Sequence, residues 1–102
     1  MKENIKKEFE KLDLIKKSKN YIENFVITDK DVLESILNEN IQNVGIDNVF
    51  KLITYGVELY NLELELVRYK LSYSVYLNGG WKANYYIFFD EEGEFIDDFF
   101  DI

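Results

Sequence analysis

The chain has no histidine, no cysteine and no proline in its 102 residues. Lack of His removes the commonest general base near neutral pH, and lack of both His and Cys removes the usual zinc ligands. Lack of Cys also excludes a thiolate nucleophile and a disulfide frame. No apolar run approaches the roughly 20 residues that a membrane-crossing helix needs. The opening MKENIKKEFEKLDLIKK has no apolar core of the secretory kind. A soluble, cytoplasmic protein is the expectation.

Other reactive residue types sit in no recognisable motif. Ser18, Ser35, Ser72 and Ser74 are the serines, none in a nucleophile-elbow context, and the five glycines form neither a phosphate loop nor a dinucleotide fingerprint. Carboxylates alone can run glycoside chemistry or hold Mg²⁺ or Ca²⁺. Asp90-Glu91-Glu92-Gly93-Glu94 superficially suggests a calcium loop, but it lacks the alternating ligands and later Glu of an EF-hand and reads fully as a hairpin turn. Asp97, Asp98 and Asp101 alternate along a strand and so make a poor cage. The expectation is a protein that is not an enzyme, with no cofactor and no metal.

What the chain does have is apolar mass, at 47% of residues with 17% aromatic, enough to build a core. Its length suits a single domain spanning 1–102. Charge is uneven within the net −8. Residues 1–24 carry seven Lys and five acids, whereas residues 57–102 carry three basic groups and ten acids. Such a surface repels phosphate backbones and anionic lipid, so neither nucleic acid nor membrane is an expected partner, and a basic protein is.

Helical periodicity fills the first half. Ile5, Phe9, Leu12 and Ile15 mark an amphipathic helix over 2–17, which Ser18-Lys19-Asn20 weakens. Tyr21, Ile22, Phe25 and Val26 suit either a further turn or a connector. Thr28-Asp29-Lys30-Asp31 reads as a capped helix start, followed by a stripe of Val32, Leu33, Ile36, Leu37, Ile41 and Val44 that Gly45 ends. Asp47 can cap a shorter third helix with Val49, Phe50 and Ile53 inward and Gly56 at its end, although Val49–Tyr60 is also rich in strand formers.

From Val57 the period becomes 2. Leu62, Leu64 and Leu66 are apolar on even numbers, then Val67, Tyr69, Leu71, Tyr73, Val75 and Leu77 on odd ones. A change of phase at Leu66-Val67 calls for a bulge or for the end of one element. A three-residue loop, Asn78-Gly79-Gly80, pairs Leu77 with Trp81, Val75 with Ala83, Tyr73 with Tyr85, Leu71 with Ile87 and Tyr69 with Phe89. The other face then pairs Tyr76 with Lys82, Ser74 with Asn84, Ser72 with Tyr86, Lys70 with Phe88 and Arg68 with Asp90. For the last strand two registers stand open. One sets Phe95 opposite Phe89 and Phe99 inward, and the other turns Ile96 and Phe100 inward with Asp98 awkwardly beside Ile87.

The fold expected is α+β: two to three N-terminal helices packed on a curved antiparallel β-meander of three to four strands. The helical part covers about 1–56 and the meander about 57–102. One face of that meander should be polar, yet it carries Tyr76, Tyr86 and Phe88 ringed by Asp90, Glu91, Glu92, Asp98 and Asp101. Interfaces favour aromatic anchors inside a polar rim. These eight residues are the expected partner-binding site of a small acidic binding protein that blocks a basic, nucleic-acid-binding protein. Toxin-immunity proteins and phage anti-defence inhibitors act this way as a class. Two alternatives remain: a small-molecule site in a cone lined by Tyr69, Tyr73, Trp81 and Tyr85, and a structural subunit whose second sheet face makes a homodimer.

Overall fold

Asp13 takes a left-handed backbone conformation, φ 55° and ψ 41°, and so separates the helical residues 10–12 from the first long helix. The computed structural model describes residues 7, 10–38, 46–61, 63–64, 66–77 and 79–102, with backbone alone at 46, 47, 60 and 61. Helix α1 spans Leu14–Thr28 and buries Leu14, Ser18 and Ile22, one line at four-residue spacing. Ile15, Tyr21, Phe25 and Val26 flank that line and pack on the core.

The helix therefore runs straight through Ser18-Lys19-Asn20, where the apolar pattern weakens. Ser18 is wholly buried. Its hydroxyl donates to the Ile15 carbonyl at 2.8 Å, and Ser18 Oγ also shares a hydrogen bond with the Tyr73 hydroxyl from the sheet. Of the expected earlier stripe, Leu12 and Ile15 pack on the core, and Ile5 and Phe9 lie outside the described residues.

Thr28 is not a cap. It ends α1, donating its hydroxyl back to the Asn24 carbonyl at 2.7 Å, and Asp29 stands at the start of α2, Lys30–Leu37. Leu33 and Leu37 are buried in α2, whereas Val32 turns outward. Asn38, left-handed with φ 55°, closes the helix. Ile41, Val44 and Gly45 lie outside the described residues.

The third helix is a single turn, α3, Ile46–Val49, that passes directly into strand β1, Phe50–Asn61. Ile53 and Gly56 belong to that strand, not to a helix. The β-branched and aromatic residues of this stretch prevail over its helical spacing, and β1 pairs with β2 along its length. Strands β2 (Leu66–Leu77), β3 (Gly80–Phe89) and β4 (Phe95–Asp101) complete an antiparallel meander in the order β1-β2-β3-β4. Among the described residues three helices thus precede a four-stranded sheet, an α+β arrangement. The phase change at Leu66-Val67 falls at the start of β2, just after the Glu63-Leu64 turn and opposite the extra residue Tyr60 of β1. Leu62 lies outside the described residues.

Four extra residues interrupt the ladders, one each at Ile53, Tyr60, Lys82 and Ile96. Each bulge sharpens the local right-handed twist. The bulge at Lys82 corrects the first hairpin. Val75–Ala83, Tyr73–Tyr85, Leu71–Ile87 and Tyr69–Phe89 pair as the alternation requires, as do Ser74–Asn84, Ser72–Tyr86 and Lys70–Phe88. Beyond Val75 the partners are Tyr76–Trp81 and Leu77–Gly80, so the loop is two residues long and the bulge restores the register. Trp81 consequently leaves the core.

The bulge at Ile96 joins the two registers left open for β4. Phe95 pairs with Phe89, then Asp98 with Ile87 and Phe100 with Tyr85. Helices α1 and α2 lie on the face that carries Tyr69, Leu71, Tyr73, Val75, Ala83, Tyr85, Ile87 and Phe89. Burying side chains of this size stabilises by about 1.5–3 kcal/mol each. Tyr21 stacks on Phe95 at 4.5 Å, and Tyr85 lies 4.6 Å from Phe100 between the helices and the sheet.

Candidate partner-binding surface

Alternation sets Lys51, Thr54, Gly56 and Glu58 of β1 on the face turned away from α1 and α2. With them stand Arg68, Lys70, Ser72, Ser74 and Tyr76 of β2, then Asn84, Tyr86 and Phe88 of β3, and Asp97, Phe99 and Asp101 of β4. No described helix packs on this face. Its aromatics are covered by side chains of the sheet itself. The Arg68 guanidinium sits 3.9 Å from the Phe88 ring centre, Lys70 4.6 Å from Tyr86, and Lys51 5.4 Å from Tyr76.

Phe99 completes the layer, 4.9 Å from Tyr86 and 5.8 Å from Phe88. Phe88 is only 2% exposed as a result and lies beneath Arg68 and Phe99. Phe99, at 46% exposure, is the accessible aromatic of this group. Trp81 is 50% exposed, and its indole N–H donates to Asn84 Oδ1 at 3.2 Å. Both were hidden from sequence reading, Phe99 by the open register of β4 and Trp81 by the bulge.

Arg68 does not pair with Asp90. It faces Glu58 across β1 and β2, with its Nε donating to Glu58 Oε1 at 2.9 Å and Nη2 reaching the same oxygen. Lys70 approaches the other Glu58 oxygen at 3.8 Å. The sequence offers no cross-strand partner for Val57–Leu66, so nothing in it pointed to Glu58.

The expected acidic rim divides into three roles. Asp90 organises the turn after β3. Its Oδ1 accepts the N–H groups of Glu92 and Glu94, both at 2.9 Å, while its carbonyl accepts the Gly93 N–H at 3.0 Å. Asp98 faces the helices, apart from Tyr76, Tyr86 and Phe88, and accepts a 2.7 Å hydrogen bond from the Tyr85 hydroxyl. Burial first, and that hydrogen bond second, hold the Tyr85 phenol far above its ordinary pKa. Tyr21 is raised too, through burial and then the charges of Asp98, Asp29 and Asp97. Glu91, Glu92 and Asp101 are exposed.

Charge is therefore segregated. Lys51, Arg68 and Lys70 stand on β1 and β2, while seven carboxylates and no Lys or Arg occur from Asp90 to Asp101. The cone expected around Tyr69, Tyr73, Trp81 and Tyr85 is not assembled, since the tyrosines are buried among one another and Trp81 stands on the opposite face. Among the described residues no His, Cys, Asp or Glu side chains gather as a metal-ligand set, and no described helix is long and apolar enough to cross a membrane.

Comparison of the chain with known protein families, with curated proteins and with solved structures gives no match.

Proposed function

We propose that this chain is a small, acidic, non-enzymatic binding protein that occupies a basic surface of another protein and blocks it. The basic surface is of the kind that nucleic-acid-binding proteins present, and the mode of action is that of toxin-immunity or phage anti-defence inhibitors. One observation carries the reading: the run of seven carboxylates from Asp90 to Asp101 follows the last turn and the outermost strand, where Glu91, Glu92, Glu94, Asp97 and Asp101 are exposed beside Phe99. A field of one sign speeds encounter with an opposite one, and a nearby exposed aromatic supplies an anchor.

The revised contact set is Glu91, Glu92, Asp97, Phe99 and Asp101. Tyr76 and Tyr86 flank it, and Asp90 and Asp98 hold its backbone and its underside. The test is affinity capture from a native host lysate with the wild-type chain and with a Glu91→Lys/Glu92→Lys/Asp97→Lys variant. The wild type is expected to retain a basic protein that salt releases and that the variant loses. Equal retention by the variant, or capture of an acidic protein alone, would overturn the reading.

A further inference from the structure

Strand β4 pairs with β3 along one side, and among the described residues no strand pairs with the other. Phe95, Ile96, Asp97, Phe99 and Asp101 are exposed along it. An open edge of this kind offers unpaired N–H and C=O groups to an incoming strand. Natural edges are commonly guarded by charged side chains, Lys above all, by Pro or by a bulge, and the charges of β4 are all carboxylates, which turn away anionic or like strands and not cationic ones. This strand contains neither Lys nor Pro, and its one bulge, at Ile96, lies near its start and leaves Asp97–Asp101 regular.

The carboxylates decide the occupant. Antiparallel pairing of β4 with a second copy of itself about Phe99 would set Asp97 of each copy opposite Asp101 of the other, and like charges across a ladder are destabilising. The same carboxylates suit a cationic strand. On the outward side β4 reads Asp97, Phe99, Asp101. The strand that matches it carries basic, apolar and basic residues at alternate positions. The other edge, β1, is a poorer match, because its outward charges are one of each sign, Lys51 and Glu58, with Glu58 already engaged by Arg68.

Resting on the basic-partner reading above, we infer that β4 binds its partner by strand addition. An extended segment of the partner, with Lys or Arg alternating with apolar residues, becomes the fifth strand of the sheet. Main-chain hydrogen bonds to β4 supply the pairing, and Asp97 and Asp101 select for positive charge.

The test titrates isotope-labelled protein with three probes and follows backbone amide signals and their solvent exchange. The probes are a short peptide of alternating Lys and Val, the same peptide N-methylated through its centre, and oligolysine of equal length. The alternating peptide is expected to shift the Phe95–Asp101 amides and slow their exchange, and methylation is expected to weaken it by about tenfold or more, because methyl groups remove the donors of a ladder. Asp97→Lys/Asp101→Lys, checked for an unchanged melting temperature, should weaken it comparably. Equal binding by the methylated peptide and oligolysine would overturn strand addition while leaving a basic partner in place. If none of the probes shifts β4, or if the free protein proves to self-associate through it, both ideas fall.

Discussion

The Tyr85 hydroxyl donates a 2.7 Å hydrogen bond to Asp98 on the neighbouring strand, so the aspartate of β4 that faces the helices has a partner. The position looks awkward in sequence because Ile87 is its cross-strand neighbour. It is made acceptable by a phenol one pair further along.

Tyr85→Phe should therefore destabilise the fold by about 1–3 kcal/mol, since it leaves a partly covered carboxylate without its donor. The effect also depends on pH. Burial and then the Asp98 bond raise the Tyr85 pKa, so the folded protein holds that proton more tightly than the unfolded chain does. This contribution is complete below about pH 10, the ordinary tyrosine value, and is lost as pH rises beyond it. Denaturant titrations at increasing alkaline pH should show a steeper loss in the wild type than in Tyr85→Phe. Parallel curves would refute the assignment.

Ser18 and Tyr73 tie α1 to the centre of the sheet through one buried hydroxyl pair. Ser18→Ala and Tyr73→Phe should each cost stability, and the double variant should cost less than their sum by about 0.5–3 kcal/mol. Additive melting data would mean that the pair is not coupled.

Gly93 has φ +85°, and a Cβ there would lie 3.1 Å from Lys17 Nζ and 3.5 Å from Cδ2 of both Leu12 and Leu14. Lys17 also donates to the Gly93 carbonyl at 3.2 Å. Gly93→Ala should destabilise by about 1–2 kcal/mol from backbone strain alone. The loss should register in thermal unfolding and loosen α1 from the last turn, read as faster amide exchange near Lys17.

Bulge residues are the ones a ladder can lose. Deleting Ile96 leaves Phe95 opposite Phe89 and Asp97 opposite Phe88, whereas deleting Phe99 moves Phe100 outward and Asp101 into the slot beside Tyr85. The first deletion should fold with a stability change within about 2 kcal/mol, and the second should cost more than about 3 kcal/mol through a buried charge and a lost aromatic. Similar melting temperatures for the two would contradict the register.

Much of the meander was legible because strict alternation from Tyr69 to Phe89 admits one pairing across β2 and β3. The fold class followed from it. Ser18 hid the continuity of α1, because a polar residue in a buried line looks like the end of a stripe. Residues 49–57 satisfied both periods, and only the ladder with β2 decided between them. Bulges are close to invisible in one sequence, since one extra residue leaves composition untouched while reversing every face beyond it. That is why Trp81 and the register of β4 were misplaced or left open. On the candidate surface Tyr76, Tyr86, Phe88, Arg68 and Lys70 were legible from parity across β2 and β3, but Glu58 required β1 to be paired with β2.

The displacement of Trp81 by the Lys82 bulge has a spectroscopic consequence. The chain's single tryptophan stands half exposed on the side away from the helices, while the buried aromatics Tyr73 and Tyr85 report on the interior. Tryptophan emission should thus change little when the core melts and more when something settles on the outward side, leaving near-ultraviolet tyrosine dichroism to follow unfolding. One molecule carries two separable optical channels without any label.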